Sequence, residues 1–259
     1  MLPLSEILKE YPQGMSGFRT FIIREYFQYK ILQAMFESRF ANQVCFLGGT
    51  CLRIVHGNNR FSEDLDFDNF NIPEKDFKEV SIIIVKELGK EGYEVEMKTI
   101  IKSAYHCIIK VPELLHAQGL SGHREEKILI QLDTEPQQFS YTPEKVILNK
   151  FDVFTQIFTT PLDLLLAQKF YAILHRKRNK GRDFYDVVFL LSKVKKPNYD
   201  YLEMKTGIKN GVKLKSELLN HCSKINMEEM ARDVQPFLFS AKDVNRVTLF
   251  TDYIRQVAL

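Results

Sequence analysis

The chain predicts an α/β (α+β) architecture: a mixed sheet with flanking helices over residues 1–158, followed by a C-terminal helical domain over 159–259. Two observations carry this. Up to about residue 158, short apolar or alternating runs of strand length are separated by Gly, Pro and Asn turns and interleaved with longer helical patterns. From Thr159-Thr160-Pro161 onward only helical spacing is found. There Thr160 suits an N-cap, Pro161 the first helical position and Asp163 the first turn.

In order, residues 1–14 predict a short helix and a loop ending at Pro12-Gln-Gly14. Ser16 caps an expected helix over Gly17–Arg39, with Phe18, Phe21, Ile22, Tyr26, Tyr29, Leu32 and Phe36 as its core stripe. Val44–Leu47 reads as a buried strand that meets Gly48-Gly49, and Thr50 opens a short helix to about His56. Asn58-Asn59 marks a turn before a strand over Arg60–Phe67. Pro73 precedes a helix over Glu74–Lys90 that stops at Gly89 or Gly92. Tyr93–Ile101 alternates as a half-wet strand, and Ala104–Val111 is a strand stopped by Pro112. A loop over Glu113–Arg124 holds His116 and His123, both expected to be solvated, with no metal. Lys127–Asp133 is the next strand, and Lys145–Phe154 closes the sheet.

In the second half, Pro161–His175 places Leu162, Leu165, Leu166 and Ile173 on one helical stripe. Lys169 falls inside that stripe and needs an acid, a route to water or an anion to face. His175–Arg182 carries five Lys or Arg residues in eight, namely Arg176, Lys177, Arg178, Lys180 and Arg182. This run is either a solvated loop or a set of candidates for RNA or phosphate contact. Arg182–Leu191 is a nearly all-apolar helix on which Asp183 and Asp186 share a face, toward a cation or a polar cleft. Short helices follow over Glu203–Gly207, Lys213–Leu219, Met227–Phe237 and Val244–Gln256. Lys205, Lys209, Lys213 and Lys215 form either an RNA face or ordinary surface.

Composition bounds the function. With 259 residues, 45% hydrophobic and 27% charged, the chain is an ordinary globular protein. A net charge of +3 is too small to argue nucleic-acid binding, so local clustering must carry that case. Cys45, Cys51, Cys107 and Cys222 lack zinc-binding spacing and suit buried thiols in a reducing cytosol. The start lacks a signal-peptide pattern and no apolar run reaches membrane length, so a cytoplasmic protein is expected.

The chemistry concentrates at residues 47–67. On a strand, Asp64 and Asp66 point to one face, and two adjacent carboxylates call for a cation. Hard oxygens in that pattern suit Mg²⁺, which bridges acids and substrate phosphates. Gly48 and Gly49 let backbone approach a phosphate, and the helix begun at Thr50 offers N–H groups. Either element alone is common. Together, with thirteen residues between Thr50 and Asp64, they suggest a nucleoside triphosphate with its metals.

The pair resembles the signature of the nucleotidyltransferase superfamily, whose fold is polymerase-beta-like. The fuller string Gly-Gly-Thr-x-Leu-Arg … Arg-x-Ser-x-Asp-Leu-Asp-Phe is similar to the AbiEii/AbiGii-type toxin nucleotidyltransferases of bacterial toxin–antitoxin and abortive-infection systems. That family often has Ser in place of Thr50, which keeps the hydroxyl. The resemblance implies that residues 1–158 form a nucleotidyltransferase core binding Mg²⁺, two ions, through Asp64, Asp66 and a third carboxylate at Asp133, with Glu135 as the alternative. It implies nucleotide binding by Gly48, Gly49, Thr50, Arg53 and Lys169, with Arg53 and Arg60 either supporting the loop or touching phosphate. Lys169 matches the family's Ala-x-Lys helix, and one of Asp183 and Asp186 matches an acid required for activity. A structural pair holding Lys169 or Arg182 is the plainer account of those two acids.

The implied reaction is transfer of a nucleoside monophosphate from an NTP to an acceptor, taken as the 3′ end of tRNA, by a toxin restrained by a cognate antitoxin. Rival readings are transfer to a small molecule or protein, and a catalytically silent module that binds RNA or antitoxin.

Overall fold

The protein is described by a computed structural model covering residues 2–101, 104–136 and 138–259, without the side chain of Ser16. The cap expected of Ser16 therefore lies outside the described residues. The chain forms two compact units. One comprises Met1–Val55 and Phe61–Thr159, the other His56–Arg60 and Thr160–Leu259.

The first unit contains α1 (Leu4–Lys9), α2 (Arg19–Phe36), β1 (Val44–Leu47), α3 (Gly48–Ile54), β2 (Leu65–Asn69), α4 (Glu74–Lys90), β3 (Glu96–Ile101), β4 (Tyr105–Val111), α5 (Leu114–Ala117), β5 (Ile128–Pro136), β6 (Glu144–Lys150) and β7 (Val153–Thr159). The strands make one mixed sheet in the order β3-β4-β5-β2-β1-β7-β6. β1 runs antiparallel to β2 and parallel to β7, while β2 runs parallel to β5. The expected α/β fold with a mixed sheet is thus present.

Helix α2 packs against β7, β5 and α4, and α4 lies against β3 and β4. Of the stripe foreseen on α2, Ile22, Tyr26, Tyr29, Leu32 and Phe36 are buried core, while Phe21 and Phe18, which precedes α2, are half-buried. More is buried than one stripe, because Glu25, Gln28 and Lys30 are enclosed as well. These polar groups have partners, as burial requires. Gln28 Nε2 donates to the carbonyls of Ser62 and Glu63 at 3.0 and 2.9 Å, and Arg24 pairs with Glu63 at 2.7 Å. Helix α2 therefore holds the approach to β2.

Several boundaries differ from the sequence expectation. α2 starts at Arg19, after a 3-10 turn over Met15–Phe18, and stops at Phe36. The strand expected at Arg60–Phe67 begins only at Leu65, because the stretch before it is tied to α2 rather than to a neighbouring strand. Tyr93 lies outside the strand, which begins at Glu96, and the loop after Pro112 contains α5. The single strand expected at Lys145–Phe154 is a hairpin of β6 and β7. Its turn uses Phe151 at φ 59°, without the Gly or Asn that normally signals such a reversal. Cys45, Cys51, Cys107 and Cys222 are all buried, and none forms a disulfide.

The second unit is helical: α6 (Leu162–His175), α7 (Gly181–Leu191), α8 (Tyr199–Thr206), α9 (Gly211–Cys222), α10 (Met227–Val234), α11 (Asn245–Thr248) and α12 (Phe250–Gln256). Helix α6 is preceded by Pro161, not Thr160, and carries no side-chain cap. Helices α8, α9 and α10 are instead capped by Asn198, Asn210 and Asn226, each accepting from a backbone N–H two or three residues on. Gly181 lets α7 meet α10 backbone to backbone, since a Cβ there would lie 1.8 Å from the Met230 carbonyl oxygen. Among the described residues no helix is long and apolar enough to cross a membrane.

Candidate functional site

In the first unit, the buried strand β1 delivers the chain into Gly48, whose φ of +79° is a conformation that L side chains rarely adopt. The register Leu47↔Asp66 sets the acid opposite this turn. A Cβ on Gly48 would lie 2.1 Å from Asp66 Oδ2, so the bare glycine is what admits the carboxylate. The Thr50 hydroxyl donates to the backbone carbonyl of Asp64, which ties α3 to the residue just before β2. The glycine turn and the acids are thereby one fastened element.

Asp66 is in register with Asp133 on the neighbouring parallel strand β5. Paired residues on adjacent strands share a face, so two carboxylates stand side by side. Asp133 is partly exposed and already engaged, with His106 Nδ1 at 2.7 Å and Gln131 Nε2 at 2.8 and 2.9 Å from its oxygens. One step along, Asp68 pairs in register with the exposed Glu135. Asp68 is buried and accepts from the Tyr141 hydroxyl. Burial, then the Asp68 charge, pushes that phenol far above its ordinary range. Sequence reading missed Asp68, although it continues the Asp64, Asp66 alternation.

Among the described residues no group of three or more His, Cys, Asp or Glu is gathered closely enough to hold a metal by itself. The donor set nevertheless suits Mg²⁺, which takes one or two carboxylates and completes its shell with water and substrate phosphate. Arg53 turns its guanidinium to the buried carboxylate of Glu25.

In the second unit, Lys169 and the two acids of α7 come together. Lys169 Nζ lies 2.8 Å from Asp183 Oδ1 and 2.8 Å from Asp186 Oδ2. The guanidinium on Asp186 is that of Arg60, not Arg182: Nε donates at 2.7 Å and Nη2 at 2.6 Å, with Asn58 Nδ2 adding 2.9 Å. Asp183 also pairs with Arg176 at 2.9 Å. Burial alone would raise the Asp186 carboxyl, but Arg60 and then Lys169 hold it below its ordinary range. Burial would lower the Lys169 ammonium, yet Asp183 and Asp186 keep it above its ordinary value. Three cations against two carboxylates leave this cluster with a net charge of +1 at neutral pH. Asn58 is a turn residue by sequence, and nothing in its neighbourhood there signals a partner on α7.

The basic run begins at the end of α6 and enters α7, with Arg176, Lys177 and Arg178 exposed and Lys180 and Arg182 half-buried.

A sequence model of the family described as "Nucleotidyl transferase AbiEii toxin, Type IV TA system" matches residues 30–243. The chain belongs to the AbiEii nucleotidyl transferase toxin family. It is accordingly a nucleotidyltransferase of the toxin–antitoxin class, with a nucleotide substrate and an antitoxin partner. The AbiEii match spans every candidate residue above but leaves Glu25 outside. No curated protein matches the chain. Two crystal structures from Helicobacter pylori share the fold of this AbiEii chain. JHP933 is 15% identical with a TM-score of 0.54, covering 91% of this chain and 92% of its own. A candidate nucleotidyltransferase is 14% identical with a TM-score of 0.53, covering 91% of this chain and 94% of its own.

Proposed function

We propose that this AbiEii toxin transfers a nucleoside monophosphate from an NTP to the 3′ end of tRNA, with two Mg²⁺ ions. The observation that carries the reading is the closure of the Gly48 turn onto Asp66 beside Asp133. In this proposal Gly48, Gly49 and Thr50 cradle the triphosphate through backbone N–H groups, as glycine-rich turns do for anions. Asp64 and Asp66 would hold the metal ions, and Asp133 would complete the donor set. When bound, the ions offset charge on the entering and leaving oxygens of an in-line displacement. The acceptor hydroxyl gives its proton to solvent and bonds to the α-phosphorus as the bond to the bridging oxygen breaks and pyrophosphate leaves. Asp133, held by His106 and Gln131, is kept in one orientation for that work.

The proposal includes a role in transfer for Lys169 and for the acids that grip it. The basic run Arg176, Lys177, Arg178, Lys180 and Arg182 is proposed to meet the RNA backbone. What supports this is the exposure of Arg176, Lys177 and Arg178, together with the net positive charge of the cluster that Arg176 joins.

The test is incubation of the purified protein with Mg²⁺ and each α-labelled NTP, against total tRNA, a protein extract and small-molecule acceptors. Label on the 3′ end of tRNA, absent with Asp66→Ala, is expected. Label on protein or a small molecule instead would overturn the choice of acceptor. Full toxicity of Asp66→Ala in cells would overturn the enzymatic reading of the acids.

A further inference from the structure

Glu25 lies outside the matched span, in no motif of the sequence, yet it is 2% exposed on α2 and accepts four hydrogen bonds from three side chains. Arg53 Nε donates to Oε2 at 2.8 Å and Nη2 to Oε1 at 3.1 Å. The Tyr11 hydroxyl donates to Oε1 at 2.8 Å and Lys150 Nζ at 3.2 Å. Lys150 is itself ringed by Tyr11, Phe151 and Tyr29, at 4.1, 4.8 and 5.6 Å from its ammonium. Burial would raise this carboxyl, but Arg53 and Lys150 hold it below its ordinary range.

What this cluster acts on is α3. A helix of seven residues is too short to persist by itself, so its pose is set from outside. Buried Cys51 and Leu52 fix how deep it sits, but apolar contacts are not directional. Directional ties come from Thr50 on the Asp64 carbonyl in the first turn and from Arg53 on Glu25 in the last. A bidentate guanidinium–carboxylate pair fixes angle as well as distance. Rotation of α3 about its axis would carry Gly48 and Gly49 with it.

We propose that Glu25 is a positioning residue for nucleotide binding, acting through Arg53 on the pose of α3 and hence of the Gly48–Thr50 turn. The proposal rests on reading that turn as the phosphate cradle.

Two variants test it. Glu25→Asp keeps the charge and shortens the reach by one methylene. Glu25→Gln combined with Lys150→Met removes one charge of each sign and so keeps the net charge of the cluster. Each is compared with wild type for thermal midpoint, for NTP binding by titration in Mg²⁺, and for KM and kcat of transfer. Both are expected to stay folded and to raise KM and Kd for NTP about tenfold, with kcat within about threefold of wild type. A folded variant with wild-type KM and Kd overturns the proposal. Unfolding of both variants also overturns it, because Glu25 would then serve the fold rather than the turn. Absence of NTP binding by wild type itself strikes the nucleotidyl-transfer reading, and this inference falls with it. That failure is visible before any variant is made.

Discussion

Asp186→Asn separates a buried anchor from a surface charge. The carboxylate is fully buried, and its partner Arg60 is 1% exposed and donates to it at 2.7 and 2.6 Å, with Asn58 adding a bond at 2.9 Å. The amide of the variant neutralises the acid but leaves the guanidinium enclosed. Breaking one side of a buried pair typically costs about 3–5 kcal/mol, since the remaining charge is left without compensation. Against a total of about 5–15 kcal/mol for a typical domain, that loss is large. Asp183→Asn should cost less, about 1.5–3 kcal/mol, because Lys169 keeps Asp186 and Arg176 is 39% exposed and can turn to water. The pH dependence has a fixed sign. The folded Asp186 carboxyl is held below the ordinary aspartate value of 3.8, so its contribution is complete above that value and fades as pH falls through the folded one. Urea unfolding followed by circular dichroism at pH 7 and stepwise below pH 4 measures both effects. The gap between wild type and Asp186→Asn should be widest at neutral pH and narrow in acid. A loss under about 1 kcal/mol at pH 7, or a larger loss from Asp183→Asn, would refute the ranking of the two acids.

Three other outcomes are expected. Asp66→Ala should lower nucleotidyl transfer by a hundredfold or more, on the order seen when one preorganised electrostatic group is removed, with an unchanged circular dichroism spectrum. Gly48→Ala places a Cβ 2.1 Å from Asp66 Oδ2 at a φ of +79°, and should cost about 1–2 kcal/mol from the backbone alone while weakening NTP binding in titration. Replacing Lys177 and Arg178 by Ala should weaken RNA binding alike for all sequences and shallow its salt dependence by about one unit of slope per lost phosphate contact, measured by filter binding across salt concentrations.

Much of the first unit was legible because its signals are local. Val44–Leu47 is four residues of strand former ending at two glycines, and Asp66 falls on the strand that follows, although Asp64 lies just before it. Register then did the rest, since antiparallel pairing of β1 and β2 brings Leu47 opposite Asp66. The β6–β7 hairpin was not legible, because Phe151 takes a left-handed turn that sequence rules reserve for Gly or Asn. The partners of buried ions were legible only by half. A lysine within an apolar stripe announces a need for acid, and Asp183 and Asp186 announce a need for a cation, but spacing on two helices does not say which side chains meet. Arg60 and Asn58 joined that cluster from about 126 and 128 residues away, a separation no window reads.

The same limit explains Glu25. A single acid among aromatic residues on α2 offers no motif, and its meaning depends on Arg53 arriving from another element. Both arginines of the Gly-Gly-Thr-x-Leu-Arg … Arg-x-Ser string thus end on a buried carboxylate, Arg53 on Glu25 and Arg60 on Asp186. Between them the chain leaves the first unit at Val55 and re-enters it at Phe61. Each arginine thus fixes its carboxylate partner within a single unit. Guanidinium is suited to the task in a way that lysine is not, since its planar fork fixes orientation while remaining charged at any physiological pH. Lysine at either position should therefore keep the charge and lose the alignment.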